Sequence, residues 1–229
     1  VGYAMTRIFN FERRLASAFM MTIVLLNAGN YGLPLNEFAF GPEGLQRAMV
    51  FYVTTGLVAN TFGVFLASRG AASMRDSFIN IFKVPLVYCL IIGLLLNFTG
   101  TTMPMWIERF VARLGSAAVP AMLVLLGIQL NSALQRATLR ERWKPILLAA
   151  GTRLIVGPVV ALGIAAVLGL SGVTRSVVIV ESSMSTAVIS GVLAIQFDAD
   201  ADFVTGVILV TTLASVATLS VILLLLGVQ

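Results

Sequence analysis

Seven apolar stretches alternate with short polar connectors along the chain. Lettered A to G, they run from about 15 to 40, 45 to 67, 77 to 97, 103 to 130, 145 to 170, 174 to 197 and 203 to 227. Each is close to the roughly 20 residues that a helix needs to cross a bilayer. Span D opens on an amphipathic segment, 103–113, that suits the membrane interface. Span A is interrupted by Asn27-Ala-Gly-Asn30-Tyr31-Gly32-Leu-Pro34. Glycine lowers helix propensity, and proline lacks the backbone donor and clashes with the preceding turn. The pattern predicts a helix that stops and restarts at mid-depth. Broken backbone at that depth survives only where it is buried in protein or lines a cavity. A proline kink that serves helix packing is the competing reading.

Spans A–B and F–G overlay at an offset of 157 residues. Phe40 meets Phe197, and Val53-Thr54-Thr55 meets Val210-Thr211-Thr212. Span F is the fifth after A, so equivalent helices there run in opposite senses. That is an inverted repeat, an arrangement that brings two broken helices together at the midplane.

The most polar cluster within any span occupies the matching place in F: Glu181-Ser182-Ser183-Met184-Ser185-Thr186. A carboxyl at membrane depth is costly and is a functional-site candidate by default. A protonated Glu181 bonded to a neighbouring helix, with the hydroxyls satisfied by their own helix, is the alternative. Arg153 lies inside span E with no acid near it in sequence. A guanidinium stays charged, so it must meet an acid, backbone carbonyls, water or an anion. A pair with Glu181 and a role in attracting anions are equally weighted. Gln129 and Asn131 read as helix-end polar groups, Glu37 as a rim residue, and Asp198–Asp202 as a solvated turn.

Composition narrows the class. Hydrophobic residues make up 59% and charged residues 11% of the 229 residues, and mean hydropathy is +0.99. Soluble domains carry roughly 25% charged residues. The chain therefore reads as an all-α polytopic protein of the plasma (inner) membrane. The net charge of +5 fits basic cytoplasmic connectors. Arg7, Arg13, Arg14, Arg69, Arg75 and the basic residues from Arg136 to Lys144 all fall on one side, with Lys83 near enough to snorkel there. The acidic F–G turn falls on the same side. No basic stretch is interleaved with aromatics, so nucleic acid is not an expected partner. The lone cysteine, Cys89, reads as a buried packing residue. There is no histidine, no pair of intramembrane aspartates and no nucleophile-plus-base arrangement, which argues against an enzyme and against a metal or other cofactor. Val1 to Arg7 reads as the tail of a span whose beginning is absent, so the chain is expected to be a fragment; a short N-terminal arm is the alternative.

Together these motifs resemble the auxin efflux carrier family. The resemblance rests on Asn27-Ala-Gly-Asn-Tyr-Gly-Leu-Pro-Leu35, Thr61-Phe-Gly-Val-Phe-Leu-Ala-Ser-Arg-Gly70, Lys83-Val-Pro85, Leu126-Gly-Ile-Gln-Leu130, Arg153-Leu-Ile-Val-Gly-Pro158 and Glu181-Ser-Ser-Met184, in that order. It covers nearly the whole chain. It implies ten helices in two inverted five-helix repeats, with helices four and nine broken and crossing. Residues 1–70 would hold the tail of helix three and helices four and five, and residues 144–229 helices eight to ten. Both belong to a moving transport domain, whereas residues 77–131 are helices six and seven of the scaffold. One departure is Ser185, which stands where family members often carry proline.

The implied function is a secondary carrier of small organic anions, such as auxin-like weak acids or dicarboxylates, working by alternating access in the lipid bilayer. Candidate substrate-binding residues are Asn27, Asn30, Tyr31, Gly32, Pro34, Arg153, Ser182, Ser183 and Ser185, with Glu181 as carrier of a coupling proton or ion. Asn27 and Asn30 are expected to satisfy unwound backbone and donate to the anion. A sodium-coupled symporter of the bile-acid transporter type and a non-transporting receptor or scaffold are the rivals. The sequence leaves open a proton or sodium as coupling ion and a homodimer as the assembly.

Overall fold

The computed structural model describes residues 2–58, 85–136 and 142–228. The Thr61–Gly70 motif, Arg69, Arg75, Lys83 and Arg140 lie outside the described residues. Among those described, the chain is helical throughout apart from its connectors and one isolated β-bridge.

The first helix, α1 (Gly2–Ile8), packs on α2 (Arg13–Val24). A π-helical turn follows at Ala28–Gly32 and then α3 (Leu33–Val58), which is kinked at Gly41. Next come α4 (Pro85–Thr99) and α5 (Met105–Arg136). Span E is α6 (Trp143–Gly151), a second π turn (Thr152–Val156) and α7 (Gly157–Val167). Span F is α8 (Gly172–Ser182) and α9 (Ile189–Gln196), and span G is α10 (Ala201–Leu225). Among the described residues, three stretches are long and apolar enough to cross a membrane: Met105–Gln135, Trp143–Val167 and Ala201–Leu225. Spans A and F fail that test because each is broken into two shorter helices.

Both breaks are visible. Span A leaves helical geometry at Leu25, which is extended (φ −86°, ψ 113°), and span F does so between Ser183 and Val188. The A break therefore begins two residues ahead of the expected motif. Pro34 is the second residue of the restarted helix, where a missing N–H is tolerated. The π turn of span E ends two residues before Pro158, as that of span A ends two residues before Pro34. A wider turn relieves the clash between a proline ring and the carbonyl four residues back.

The 157-residue offset recurs in the backbone. Gly41 (φ 68°) turns the chain from span A into span B, and Asp198 (φ 51°) turns it from F into G. Both sit in the left-handed region, which glycine enters freely and aspartate tolerates.

Two details differ from the sequence reading, and a third adds to it. Span D does not end near Leu130 but continues to Arg136, because Gln, Leu and Ala there are good helix formers. Cys89 is exposed on α4 rather than buried. The acidic turn is ion-paired: Arg14 Nη2 lies 2.6 Å from Asp198 Oδ1, and Arg142 pairs with Asp200, whose other oxygen caps α10 at Phe203 N. These contacts bring the connectors before A, between D and E, and between F and G to one end of the molecule. The Arg14–Asp198 side chains are 58% and 78% exposed. Arg14→Ala is accordingly expected to cost less than about 1 kcal/mol, read as a small shift in melting temperature.

The best-packed core lies where α2, α6 and α10 meet. Phe19, Met21, Ile146, Phe203 and Val207 are fully or almost fully buried there, and the Phe19 and Phe203 rings stack at 6.4 Å. This core forms one wall of the place where the two breaks cross.

Candidate functional site

The breaks in spans A and F meet as two short extended segments in antiparallel register. Leu26 bridges Thr186: Asn27 N donates to Ser185 O and Ala187 N to Leu25 O, each at 2.9 Å. Backbone groups freed by breaking one helix are thus satisfied by those freed in the other. Hydroxyls supply the remainder. Thr186 Oγ1 donates to Thr22 O (2.8 Å), and Thr186 N donates to Thr211 Oγ1 (3.2 Å). Thr212 Oγ1 donates to Ser185 Oγ (3.3 Å). With this support, span F breaks without a proline at position 185.

Arg153 holds the crossing from span E. It is buried, and its Nε, Nη1 and Nη2 donate to Met184 O (2.9 Å), Ile23 O (3.1 Å) and Ser182 O (3.1 Å). These carbonyls terminate the first halves of both broken spans. Helix C-termini leave carbonyls without intrahelical donors and carry partial negative charge. The guanidinium answers both needs. Among the described residues Arg153 makes no ion pair with Glu181, so the pairing weighed from the sequence is replaced by bonds to backbone. The π turn at Thr152–Val156 carries the residue that reaches the crossing.

Glu181, at the end of α8, is fully buried. Its Oε1 accepts from Asn36 Nδ2 at 2.9 Å, and Asn36 Nδ2 also donates to Gly32 O at 2.9 Å. The carboxyl lies directly against Gly32. A Cβ added there would fall 2.6 Å from Oε1, 2.7 Å from Cδ, and closer still to Oε2. Asn36 was not singled out in the sequence. The available signal was its spacing, one helical turn beyond Gly32 on the same face of an apolar helix.

The other sequence-derived residues divide. Asn27 is buried, and its Nδ2 has no hydrogen-bond partner among the described residues. Ser183 Oγ donates back to Ile179 O (2.6 Å), and Ser182 contributes its carbonyl to Arg153. Asn30 faces away from the crossing, with Nδ2 donating to Gln129 Oε1 on α5 at 3.2 Å. Gln129 is therefore an inter-helix partner rather than a helix-end group. Tyr31 packs beside Val180, Met184 and Leu219. Gly32 and Pro34 are buried at the restart of the helix.

A cavity of about 400 Å³ opens beside the crossing, between Leu25, Leu26 and Ala28 of span A, Ala187 of span F, and Tyr52 and Thr55 of span B. That is within the size range of small-molecule sites.

A sequence profile described as "Membrane transport protein" matches residues 71–223. An uncharacterized transporter of Methanothermobacter thermautotrophicus is 32% identical over 200 residues, which cover 85% of this chain and 63% of the relative. An uncharacterized transporter of Methanocaldococcus jannaschii is 28% identical over 211 residues, covering 90% and 67%. The chain spans about two thirds of the length of these curated relatives. No solved structure matches.

Proposed function

This chain belongs to the auxin efflux carrier family of membrane transport proteins, as part of an integral multi-pass membrane protein, and we propose that it carries small organic anions by alternating access at the crossing of spans A and F. The observation that carries the anion assignment is the buried, unpartnered Nδ2 of Asn27. It is a donor without an acceptor, at the start of the restarted half-helix. Half-helix N-termini carry partial positive charge and, in secondary transporters, face anionic substrate groups. A carboxylate supplies the missing acceptor and is favoured by the same dipole. The cavity lined by the chain neighbours of Asn27, Leu26 and Ala28, has the volume for a small molecule.

In the same reading, residues 1–70 and 144–229 move together and residues 77–131 belong to the scaffold. The Asn30–Gln129 bond then spans the two, and it must break when the crossing moves past α5. Ser182, Ser183 and Ser185 shape the F side of the site, and Arg153 fixes the half-helices without touching the substrate. Transport is driven by a coupled proton or ion at Glu181.

The test uses the protein purified and reconstituted in liposomes. A thermal-shift screen of small carboxylates first identifies a ligand. Asn27→Ala should leave folding intact, because it removes an Nδ2 that makes no bond to the described residues. It should weaken that ligand by about 10- to 100-fold, the loss of one hydrogen bond to a charged group. Asn30→Ala and Pro34→Ala should both depress flux. Unchanged binding in Asn27→Ala, with normal flux in the other two, would remove the crossing from the transport mechanism.

A further inference from the structure

Two buried acceptor oxygens at the crossing lack partners among the described residues: Glu181 Oε2 and Asn36 Oδ1. They belong to the two side chains that already share the Asn36 Nδ2–Glu181 Oε1 bond. The amide orientation is fixed by chemistry, because Nδ2 lies 2.9 Å from two acceptors, Gly32 O and Glu181 Oε1, and must present its two N–H groups to them. That leaves Oδ1 as an acceptor with nothing to accept, on the amide already bound to a carboxyl with the same deficit.

We propose that Glu181 is protonated on Oε2 in this conformation and pairs with Asn36 as a carboxylic acid with an amide, so that Asn36 relays the loss of that proton to the crossing. The inference rests on the carrier reading above and identifies its coupling ion as a proton. A single proton resolves both deficits: it turns Oε2 from acceptor into donor and gives Oδ1 its bond. An acid and a primary amide join in this way through two parallel hydrogen bonds.

The surroundings argue the same way. An ionised carboxyl that is buried needs a cation or several donors. Among the described residues Glu181 has one donor and no ion pair. The elements packed against α8 offer little else. The π turn of span A and α3 carry Tyr31, Glu37, Glu43, Arg47 and Tyr52, and α7 carries no charged residue. On α10 the charged group is Asp202, and on α8 itself it is Arg175, more than one turn away. Arg153, which reaches the neighbouring Ser182 O, directs its Nε, Nη1 and Nη2 to backbone carbonyls.

Loss of the proton leaves Oε2 and Oδ1 as acceptors with no proton to share, one of them on a charged group. The amide must then turn or withdraw, and its bond to Gly32 O goes with it. Gly32 closes the π turn that restarts span A. The protonation state of a residue on span F is thereby transmitted to the backbone of span A, where the substrate donor Asn27 sits.

Infrared difference spectroscopy of the purified protein tests this without requiring transport. A protonated carboxyl band is expected at neutral pH, absent in Glu181→Gln and moved to higher frequency in Asn36→Ala, where the acid loses its acceptor. Glu181→Gln keeps the shape and can form the equivalent amide–amide pair, so it should fold and melt no lower than the native protein. A neutral-pH spectrum without a band assignable to Glu181, or a band that Asn36→Ala leaves in place, would overturn the proposal. Native protein that shows the band and its Asn36 shift but no carboxylate flux would instead overturn the carrier reading and leave the acid–amide pair standing.

Discussion

Replacing Arg153 with leucine is expected to prevent the crossing from forming. The native guanidinium donates to three carbonyls in two different spans, at Ile23, Ser182 and Met184. No water in the bilayer core replaces those donors, and unsatisfied backbone at that depth costs several kcal/mol. Hydrogen bonds to charged groups contribute about 1.5–3 kcal/mol each. Leucine therefore removes a tether and leaves three acceptors bare. Arg153→Lys should fail in the same direction but less severely. An ammonium is a compact point charge and lacks the planar fork that reaches three separated oxygens. The measurement is the yield of monodisperse protein in detergent and its melting temperature. A leucine variant that elutes and melts like the native protein would show that the carbonyls find other partners and that Arg153 is not the tether.

Arg153 also shows where sequence reading succeeds and where it stops. Its position inside span E marked it as a charge that must be answered, and carbonyls were among the answers considered. The choice among them could not be made, because Ile23 lies 130 residues away and Ser182 lies 29 away. The existence of the A break was legible because glycine, asparagine and proline act locally. The register of the break was not. Leu25 and Leu26 are ordinary helix residues, and they are extended because Ser185 and Ala187 pair with their segment from the far half of the chain. The F break had only hydroxyls as its local signal, and its support comes from Thr22, Thr211 and Thr212 on other elements. The ion pairs of the solvated acidic turn were likewise not legible, because Arg14 is 184 residues from Asp198. Glu181 was marked by its own cost in a membrane, whereas Asn36, a neutral residue among apolar ones, raised no comparable alarm.

Gly32→Ala is the sharpest test of how tightly the two halves of the crossing are fitted. The added methyl would sit 2.6 Å from Glu181 Oε1 and 2.7 Å from Cδ, inside van der Waals contact. Relief is hard to find. The carboxyl is held by Asn36 on the same helix as Gly32, and α8 behind it is fixed by Arg153 through Ser182 O. Overpacking of a close-fitted interior costs about 1–3 kcal/mol, and the loss of the Asn36–Glu181 bond adds about 1 kcal/mol. Gly32→Ala should therefore lower the melting temperature more than Gly29→Ala, whose added methyl meets the ring of Tyr52 at 2.9 Å beside the open cavity, where the ring has room to turn. The cause is separable from a generic effect on helix backbone. Alanine is a better helix former than glycine, so propensity alone predicts stabilisation. In a Glu181→Ala background the carboxyl is gone, and Gly32→Ala should then cost little or even stabilise. An equal penalty in both backgrounds would mean that the glycine is required by its own backbone and not by the carboxyl that rests on it.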